Sequence, residues 1–453
     1  MNLDEICTLM KTAGEIIKEH EGFEIISSEE LETRAFNDKY SAAVKKALEN
    51  NSDLETPLYK HQFEALYALS EGQDVLLITP CSSGKTRVLE NGPEVVRLGF
   101  ELRSSETDLL PCTNNPLGIV CCPLSSIMED KLRVQSNTGI LSMYGGCKSK
   151  IHTEEGSDDV TTGEEEFLTD QLRLIYGHPE SFATNTGKNI LEANESRICL
   201  YATDEVGFNV WGDQFRILMS SVPGSIRVFS PSAPMLCMSA TVGKLEQKKI
   251  LDDLGMLKRR HKIIETNPVK DYFLVTKIKR PSNQTGFDEE GGLGEILGSL
   301  YLEEFVSDPV TCRKALIYCK NEEDLVHIYQ FVEGKIGSQF LNMKRRPWVQ
   351  YHSSLGESTL KWVHKRMELS GEGEIKLILT TYKLVMGVDL QNVDLAIFVR
   401  FALLPSAIYR TDSYYSGLPT PYHALSREWV GWADPPSLVP NVLESQFSTM
   451  KKI

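Results

Sequence analysis

The chain has 453 residues, a formal net charge of −15, 41% hydrophobic and 25% charged residues. That length holds about two to four domains, and the acidic balance excludes a histone-like protein that coats nucleic acid through bulk charge, though not one that binds through a local groove. No apolar run approaches the ~18–20 residues of a membrane span, and the start lacks a basic stretch followed by an apolar one, so an intracellular protein with no membrane partner is expected.

In chain order, Leu3, Ile6, Leu9, Ala13 and Ile16 recur at helical spacing and predict an amphipathic helix over 2–20. Residues 21–55 are polar and helix-like, which makes 1–54 an N-terminal helical region. From about residue 60, short apolar runs alternate with polar, helix-like stretches; the runs are 75–78, 118–122, 172–176, 198–202 and 235–238. Each has the length of a strand buried on both faces, and the alternation predicts a parallel sheet covered by helices. The polar stretches 101–116 and 153–170 are expected as surface insertions. The cluster Lys258-Arg259-Arg260-His261-Lys262 is expected to be a solvated helix end. After a Gly-rich stretch at 281–296, runs at 315–318, 375–379 and 395–399 open a second series. The expected fold is α/β, two parallel-sheet domains in tandem over 55–265 and 266–408. From about 409 no periodicity is visible, and 409–453 reads as a divergent tail. The chain has 10 cysteines and no C-x-x-C pair, which disfavours a zinc site or a redox motif. Cys121, Cys122, Cys199, Cys237 and Cys319 lie in apolar runs and are expected to be buried thiols.

The strongest chemical signal is Val75-Leu-Leu-Ile-Thr-Pro-Cys-Ser82-Ser83-Gly84-Lys85-Thr86. A buried strand runs into a loop of small residues and then a helix-like stretch. Backbone N–H groups at such a helix start cradle phosphate oxygens. Lys85 would neutralise the β/γ-phosphates of ATP, and the Thr86 hydroxyl would hold Mg²⁺. The alternative is a serine-rich turn that happens to end in Gly-Lys-Thr. Thr79 stands where the simplest pattern has glycine, and a non-Gly residue forced left-handed costs roughly 1–2 kcal/mol. A second strand-like run ends in Asp204-Glu205. Asp204 could hold Mg²⁺ through water, and Glu205 could orient or deprotonate the attacking water. Alone, such a pair can equally be a solvated loop; the upstream phosphate loop favours the catalytic role.

The order of motifs resembles the superfamily 2 helicases, and most closely the RecQ family. Leu58-Tyr59-Lys60-His61-Gln62 looks like the motif ahead of the phosphate loop, whose glutamine, here Gln62, recognises adenine. The segment from Cys122 to Lys131 resembles S-P-L-x-S-L-M-x-D-Q, on the nucleic-acid track, and Ile175 to Ser181 resembles the following T-P-E motif. Asp204-Glu-Val-Gly-Phe-Asn-Val-Trp211-Gly-Asp-Gln-Phe215-Arg216 resembles D-E-A-H-C-I-S-Q-W-G-H-D-F-R, one residue shorter. The resemblance implies that this loop couples bound single-stranded DNA to hydrolysis, with Trp211 and Phe215 stacking on bases at ~1–3 kcal/mol each. Packing in a core is the other role open to those rings. Ser239-Ala240-Thr241 resembles the motif that links the two sites. In the second half, Ile317-Tyr318-Cys319, Tyr351-His352-Ser353-Ser354-Leu355 and Thr380 through Gly387 to Asp389 resemble later motifs; the last implies that Gly387 and Asp389 contact ATP.

The resemblance spans about 55–408 and implies two RecA-like domains, ATP and Mg²⁺ as cofactors, single-stranded and partly duplex DNA as partners, 3′-to-5′ unwinding, and the nucleus as location. An RNA helicase is the near neighbour, but its D-E-A-D pattern lacks the Trp-Gly/Phe-Arg loop. Departures bear on hydrolysis. Gly207 replaces a histidine, and no Gly-Arg-x-Gly-Arg segment follows Ile408 to supply an arginine finger, a group worth ~10³–10⁵ in rate. A catalytically weak nucleotide- and DNA-binding clamp or regulator is therefore the second expectation, and an alternatively spliced end after about 408 the third.

Overall fold

The computed structural model describes residues 23–80, 83–103, 115–123, 128, 140–144, 148–150, 161–162, 172–207, 218–240, 242–266, 275–279, 293–319, 322–335, 346–352, 354–356, 358–359, 362–363, 366, 374–381, 393–399 and 422–426. The amphipathic helix expected over 2–20 lies outside them.

The N-terminal region forms a short antiparallel pair, β1 (Ile25–Ile26) with β2 (Leu58–Tyr59), and two helices between them, α1 (Ser28–Asn37) and α2 (Lys39–Asn50). Side-chain oxygens start both helices: Ser27 Oγ accepts from Glu30 N at 3.1 Å, and Asp38 Oδ2 from Ser41 N at 2.7 Å. α3 (Lys60–Ser70) then leads to β3 (Asp74–Ile78), which is followed by α4 (Lys85–Arg103).

The remaining strands of the first sheet are β4 (Leu117–Cys121), β5 (Ile140–Tyr144), β6 (Lys148–Lys150), β7 (Thr161–Thr162), β8 (Leu174–Gly177), β9 (Ile198–Thr203), β10 (Met235–Ser239) and β11 (His261–Glu265). Among the described residues the order is β11-β3-β10-β9-β4-β8-β5-β6-β7. Pairing is parallel from β11 through β5, and β6 and β7 add an antiparallel extension. Side chains alternate across the sheet with a period of two. Val75 and Leu77 join Val44, Leu66, Leu69 and Val95 on one face. Leu76 and Ile78 join Phe182, Ile190, Ile250 and Leu251 on the other. Both faces are therefore dry, which is why the sequence shows unbroken apolar runs rather than alternation. Gly99 lets α4 approach α3 closely, since a Cβ there would lie 1.9 Å from Ser70 O.

A second parallel sheet holds β12 (Val275–Lys279), β13 (Ala315–Cys319), β14 (Trp348–Tyr351), β15 (Leu377–Thr380), β16 (Leu395–Val399) and β17 (Tyr422–Ser426), in the order β12-β17-β16-β13-β15-β14. It packs on a helical run from Leu293 to Ser307, with a π turn at Gly298–Leu302, and on a helix at Glu322–Lys335. The fold is α/β with two parallel-sheet units.

The structure departs from one local expectation and refines two others. β17 lies inside the stretch read as a tail without periodicity, yet it is paired on both sides. Lys258 is the exposed end of a 3-10 helix, as expected, but the cluster runs on into β11, which begins at His261. Arg259 is drawn to the buried Asp74, Nε to Oδ2 at 3.5 Å. The insertion 153–170 contains the short strand β7. The five thiols singled out are buried and form no disulfide, and burial holds Cys121 and Cys237 protonated. No helix among the described residues is long and apolar enough to cross a membrane.

Candidate nucleotide site

The loop 79–84 begins where β3 ends. Thr79 N donates to Ser239 O at 3.1 Å, which carries the ladder one residue past Ile78. Thr79 is fully buried, and its hydroxyl accepts from Ser83 Oγ at 2.8 Å. The residue that breaks the simplest glycine pattern thus closes the loop with a hydroxyl clasp. Ser83 does not take the left-handed conformation; Gly84 does, at φ 75°. The conformation requires glycine, and a Cβ there would also lie 2.2 Å from Gln62 Nε2 and push that amide off its bonds to the loop. Ser82 lies outside the described residues.

Lys85 opens α4, and its ammonium donates to Thr79 O at 2.9 Å and Pro80 O at 3.0 Å. The cation is therefore folded back over the loop where a phosphate would sit. Thr86 follows in the first helical turn.

Gln62 is 2% exposed and braces the loop from the other side. Its Oε1 accepts from Tyr59 N at 2.9 Å, and its Nε2 donates to Ser83 O at 3.3 Å and Gly84 O at 3.1 Å. Both Nε2 protons are engaged, so reading a base edge with that nitrogen requires an exchange of bonds. His61 adds a bond from Nε2 to Ser83 O at 2.8 Å. A carbonyl only accepts, so Nε2 carries the proton. Burial, reinforced by the nearby Lys85 charge, lowers the His61 pKa and keeps the ring neutral. The motif pattern alone did not mark His61; its position beside Gln62 was the available signal. Phe23, Tyr59 and His61 form an aromatic cluster here, with centroids 5.0–5.6 Å apart.

β9 ends one strand away from β3, with β10 between them. Ile78 pairs with Ser239, and Thr203 with Cys237. All three strands are parallel, so the loops after Ile78, Thr203 and Ser239 leave the same edge. The carboxyl edge is where open α/β sheets take ligands. Asp204 N donates to Cys121 O at 3.0 Å and Val206 N to Met238 O at 2.9 Å, pinning the turn between neighbouring strands. Asp204 Oδ1 accepts from Glu205 N at 3.0 Å. Glu205 is 6% exposed and left-handed at φ 51°. Strain of ~1–3 kcal/mol at a buried acid marks a position fixed by its surroundings. Tyr176 on β8 is buried nearby, and burial, then the Asp204 and Glu90 charges, keeps its phenol protonated.

The structure therefore gathers Gln62, Ser83, Gly84, Lys85, Thr86, Asp204, Glu205 and Ser239 at one edge of the first sheet. Trp211, Phe215, Arg216, Thr241, Gly387 and Asp389 lie outside the described residues. In the second sheet, His352 Nδ1 is 3.3 Å from Glu322 Oε1, and Ser354 Oγ donates to the same carboxylate at 2.7 and 2.8 Å.

Residues 59–250 match the DEAD/DEAH box helicase family. The chain is 24% identical over 387 residues to the ATP-dependent DNA helicase Q1 of Pongo abelii, covering 83% of this chain and 50% of that protein. It is 24% identical over 359 residues to the Mus musculus protein of the same name, covering 78% and 47%. The chain thus spans about half the length of the curated relatives it matches. Among solved structures it is similar to the DUF1998 helicase MrfA bound to DNA, with TM-score 0.61, 12% identity, and coverage of 95% of this chain and 53% of that one. It is also similar to Mss116p bound to single-stranded RNA and AMP-PNP, with TM-score 0.59, 13% identity, and coverage of 90% and 76%. Those structures carry RecA-like domains, and the fold found here is of that kind.

Proposed function

We propose that this chain, a RecQ-like relative of the superfamily 2 helicases with a DEAD/DEAH box helicase domain over residues 59–250, is an ATP-dependent DNA helicase. It would move 3′ to 5′ on single-stranded DNA, open partly duplex DNA, and work in the nucleus. The observation that carries this reading is the convergence of Lys85 and the strained Asp204-Glu205 turn on one edge of a parallel sheet.

Backbone N–H groups at the start of α4 and the Lys85 ammonium bind the phosphates of ATP. Lys85 gives up its bonds to Thr79 O and Pro80 O to do so. The Thr86 hydroxyl and the Asp204 carboxylate are hard oxygen donors, the set Mg²⁺ prefers; the ion would supply charge neutralisation at the β/γ-phosphates. Glu205, fixed by its turn, orients water and receives its proton. Gln62 joins the base side to the phosphate side through Ser83 and Gly84. Trp211, Phe215 and Arg216 would report DNA occupancy, Ser239 and Thr241 would relay it, and Gly387 and Asp389 would close on the nucleotide from the second unit.

The test is ATP hydrolysis by the purified chain with and without single-stranded DNA, beside Lys85→Ala and Glu205→Gln. DNA-stimulated turnover that both substitutions abolish is the expected result. The Thr79–Ser83 clasp and the engaged Lys85 favour a second reading, a catalytically weak nucleotide- and DNA-binding regulator. ATP binding that depends on Lys85 but yields no turnover would select it and overturn the motor.

A further inference from the structure

Arg87 stands two residues past Lys85 in the first turn of α4, its amide bonded to Gly84 O at 3.1 Å. Its side chain is 11% exposed and reaches the segment joining α2 to β2. Nε donates to Asp53 Oδ2 at 2.7 Å, Nη2 to Asp53 O at 2.7 Å and Thr56 O at 2.9 Å, and Nη1 to Pro57 O at 2.6 Å. The guanidinium thus grips one carboxylate and three carbonyls.

A polar chain continues along the helix. Asn91 Nδ2 donates to Asp53 Oδ2 at 2.8 Å, Asn51 Nδ2 to Asn91 Oδ1 at 2.9 Å, and Arg173 Nη1 to Asn51 Oδ1 at 2.7 Å. The turn it holds is strained, with Ser52 at φ 55°. The segment 53–62 is therefore tied to α4 and its loop at both ends: Arg87 holds 53–57, while His61 and Gln62 hold 83–84. Between the two anchors, Tyr59 belongs to β2 and the aromatic cluster.

We infer that Arg87 is a positioning residue that sets base selectivity, fixing the base-side segment 53–62 at one distance from the phosphate loop. The inference rests on the nucleotide site proposed above. Phosphate binding draws on Lys85 and the start of α4, which stay in place without Arg87. Base reading draws on groups carried by 53–62; without Arg87 these keep the Asn91–Asp53 bond, the β1–β2 pairing and the His61 and Gln62 contacts, but lose the fork that fixes Asp53, Thr56 and Pro57 together. A lysine at 87 keeps the charge but cannot reproduce the fork that reaches Asp53, Thr56 and Pro57 together.

The experiment displaces a fluorescent ATP analogue from the full chain with ATP, GTP and inorganic tripolyphosphate. It compares wild type, Arg87→Ala, Arg87→Lys and Asp53→Asn, with melting temperatures recorded alongside. Arg87→Ala should shrink the preference for ATP over GTP by about tenfold, a modest loss for a misplacement remote from the ligand. Tripolyphosphate should bind as in wild type, and Arg87→Lys should fall between. Equal weakening of all three competitors, an unchanged ATP-to-GTP ratio, or a wild type without base preference would overturn the inference. If Arg87→Ala fails to fold, Arg87→Lys and Asp53→Asn decide: a smaller loss of preference supports the role and none refutes it. A wild type that binds none of the three competitors would instead sink the nucleotide reading itself.

Discussion

Glu205 joins a left-handed backbone to a buried carboxyl. The backbone strain is of the kind that glycine relieves. Glu205→Gly should therefore raise the melting temperature, by the equivalent of about 1 kcal/mol of released strain, while turnover is lost. A lower melting temperature would mean that the carboxylate holds the fold. His61 gives a pH-dependent prediction. Its folded pKa lies below the model-compound value of 6.5 because burial disfavours the cation. The unfolded chain thus takes up a proton first as pH falls below 6.5, and stability drops until the folded pKa is reached, then levels off. Melts of wild type and His61→Gln between pH 7.5 and 5 should converge on acidification; an unchanged gap would contradict a buried neutral ring.

At the scale of elements, β3 is anchored at both ends. Its carboxyl end carries the 79–84 loop proposed to bind phosphate. At its amino end, Asp74 is fully buried and accepts from Arg227 Nη1 and Nη2 at 2.9 Å each, and from Met235 N at 2.9 Å. Asp74→Ala would leave Arg227 without its carboxylate and the β10 amide without an acceptor. Breaking such a buried pair costs about 3–5 kcal/mol, readable as a fall in the urea midpoint; a change under about 1 kcal/mol, the range of an exposed pair, would refute the anchoring role. The sequence shows β3 as an apolar run but says nothing of Asp74, whose partner lies far along the chain. The same limit explains β17. Tyr-His-Ala-Leu-Ser carries no clear alternation, and its strand state is set by neighbours on both sides. The runs 75–78, 198–202 and 235–238, which fall in β3, β9 and β10, were legible because burial on both faces leaves an unambiguous composition.

At the scale of the molecule, the net charge of −15 means that any DNA-binding surface must be local and basic against an acidic background. Affinity for single-stranded DNA should then fall with salt at a slope of about −0.7 per phosphate neutralised, and a flat salt response would argue against a backbone-tracking groove. A parallel titration with RNA distinguishes the polymers; stimulation of hydrolysis by RNA alone would overturn the DNA assignment. The positions of the Gly-Lys-Thr loop and the acid pair at strand ends were legible from local order, because strand, small-residue loop and helix follow one another directly. Thr79–Ser83, His61–Ser83 and Arg87–Asp53 were not, since each depends on how a loop closes or on segments that meet only after folding.

The strand order of the second sheet carries a consequence for biosynthesis. Among the described residues β12 joins that sheet through β17 alone, and β17 separates it from β16. A ribosome must therefore finish Tyr422–Ser426 and clear it from the exit tunnel before β12 can dock. Until then the nascent chain presents β16 as a raw edge open to chaperones or to another copy. A chain released at residue 408 should keep the first sheet intact but expose that edge. Its monomer fraction in sedimentation should fall below that of the full chain, and an equally monomeric product would show that β16 needs no such cover.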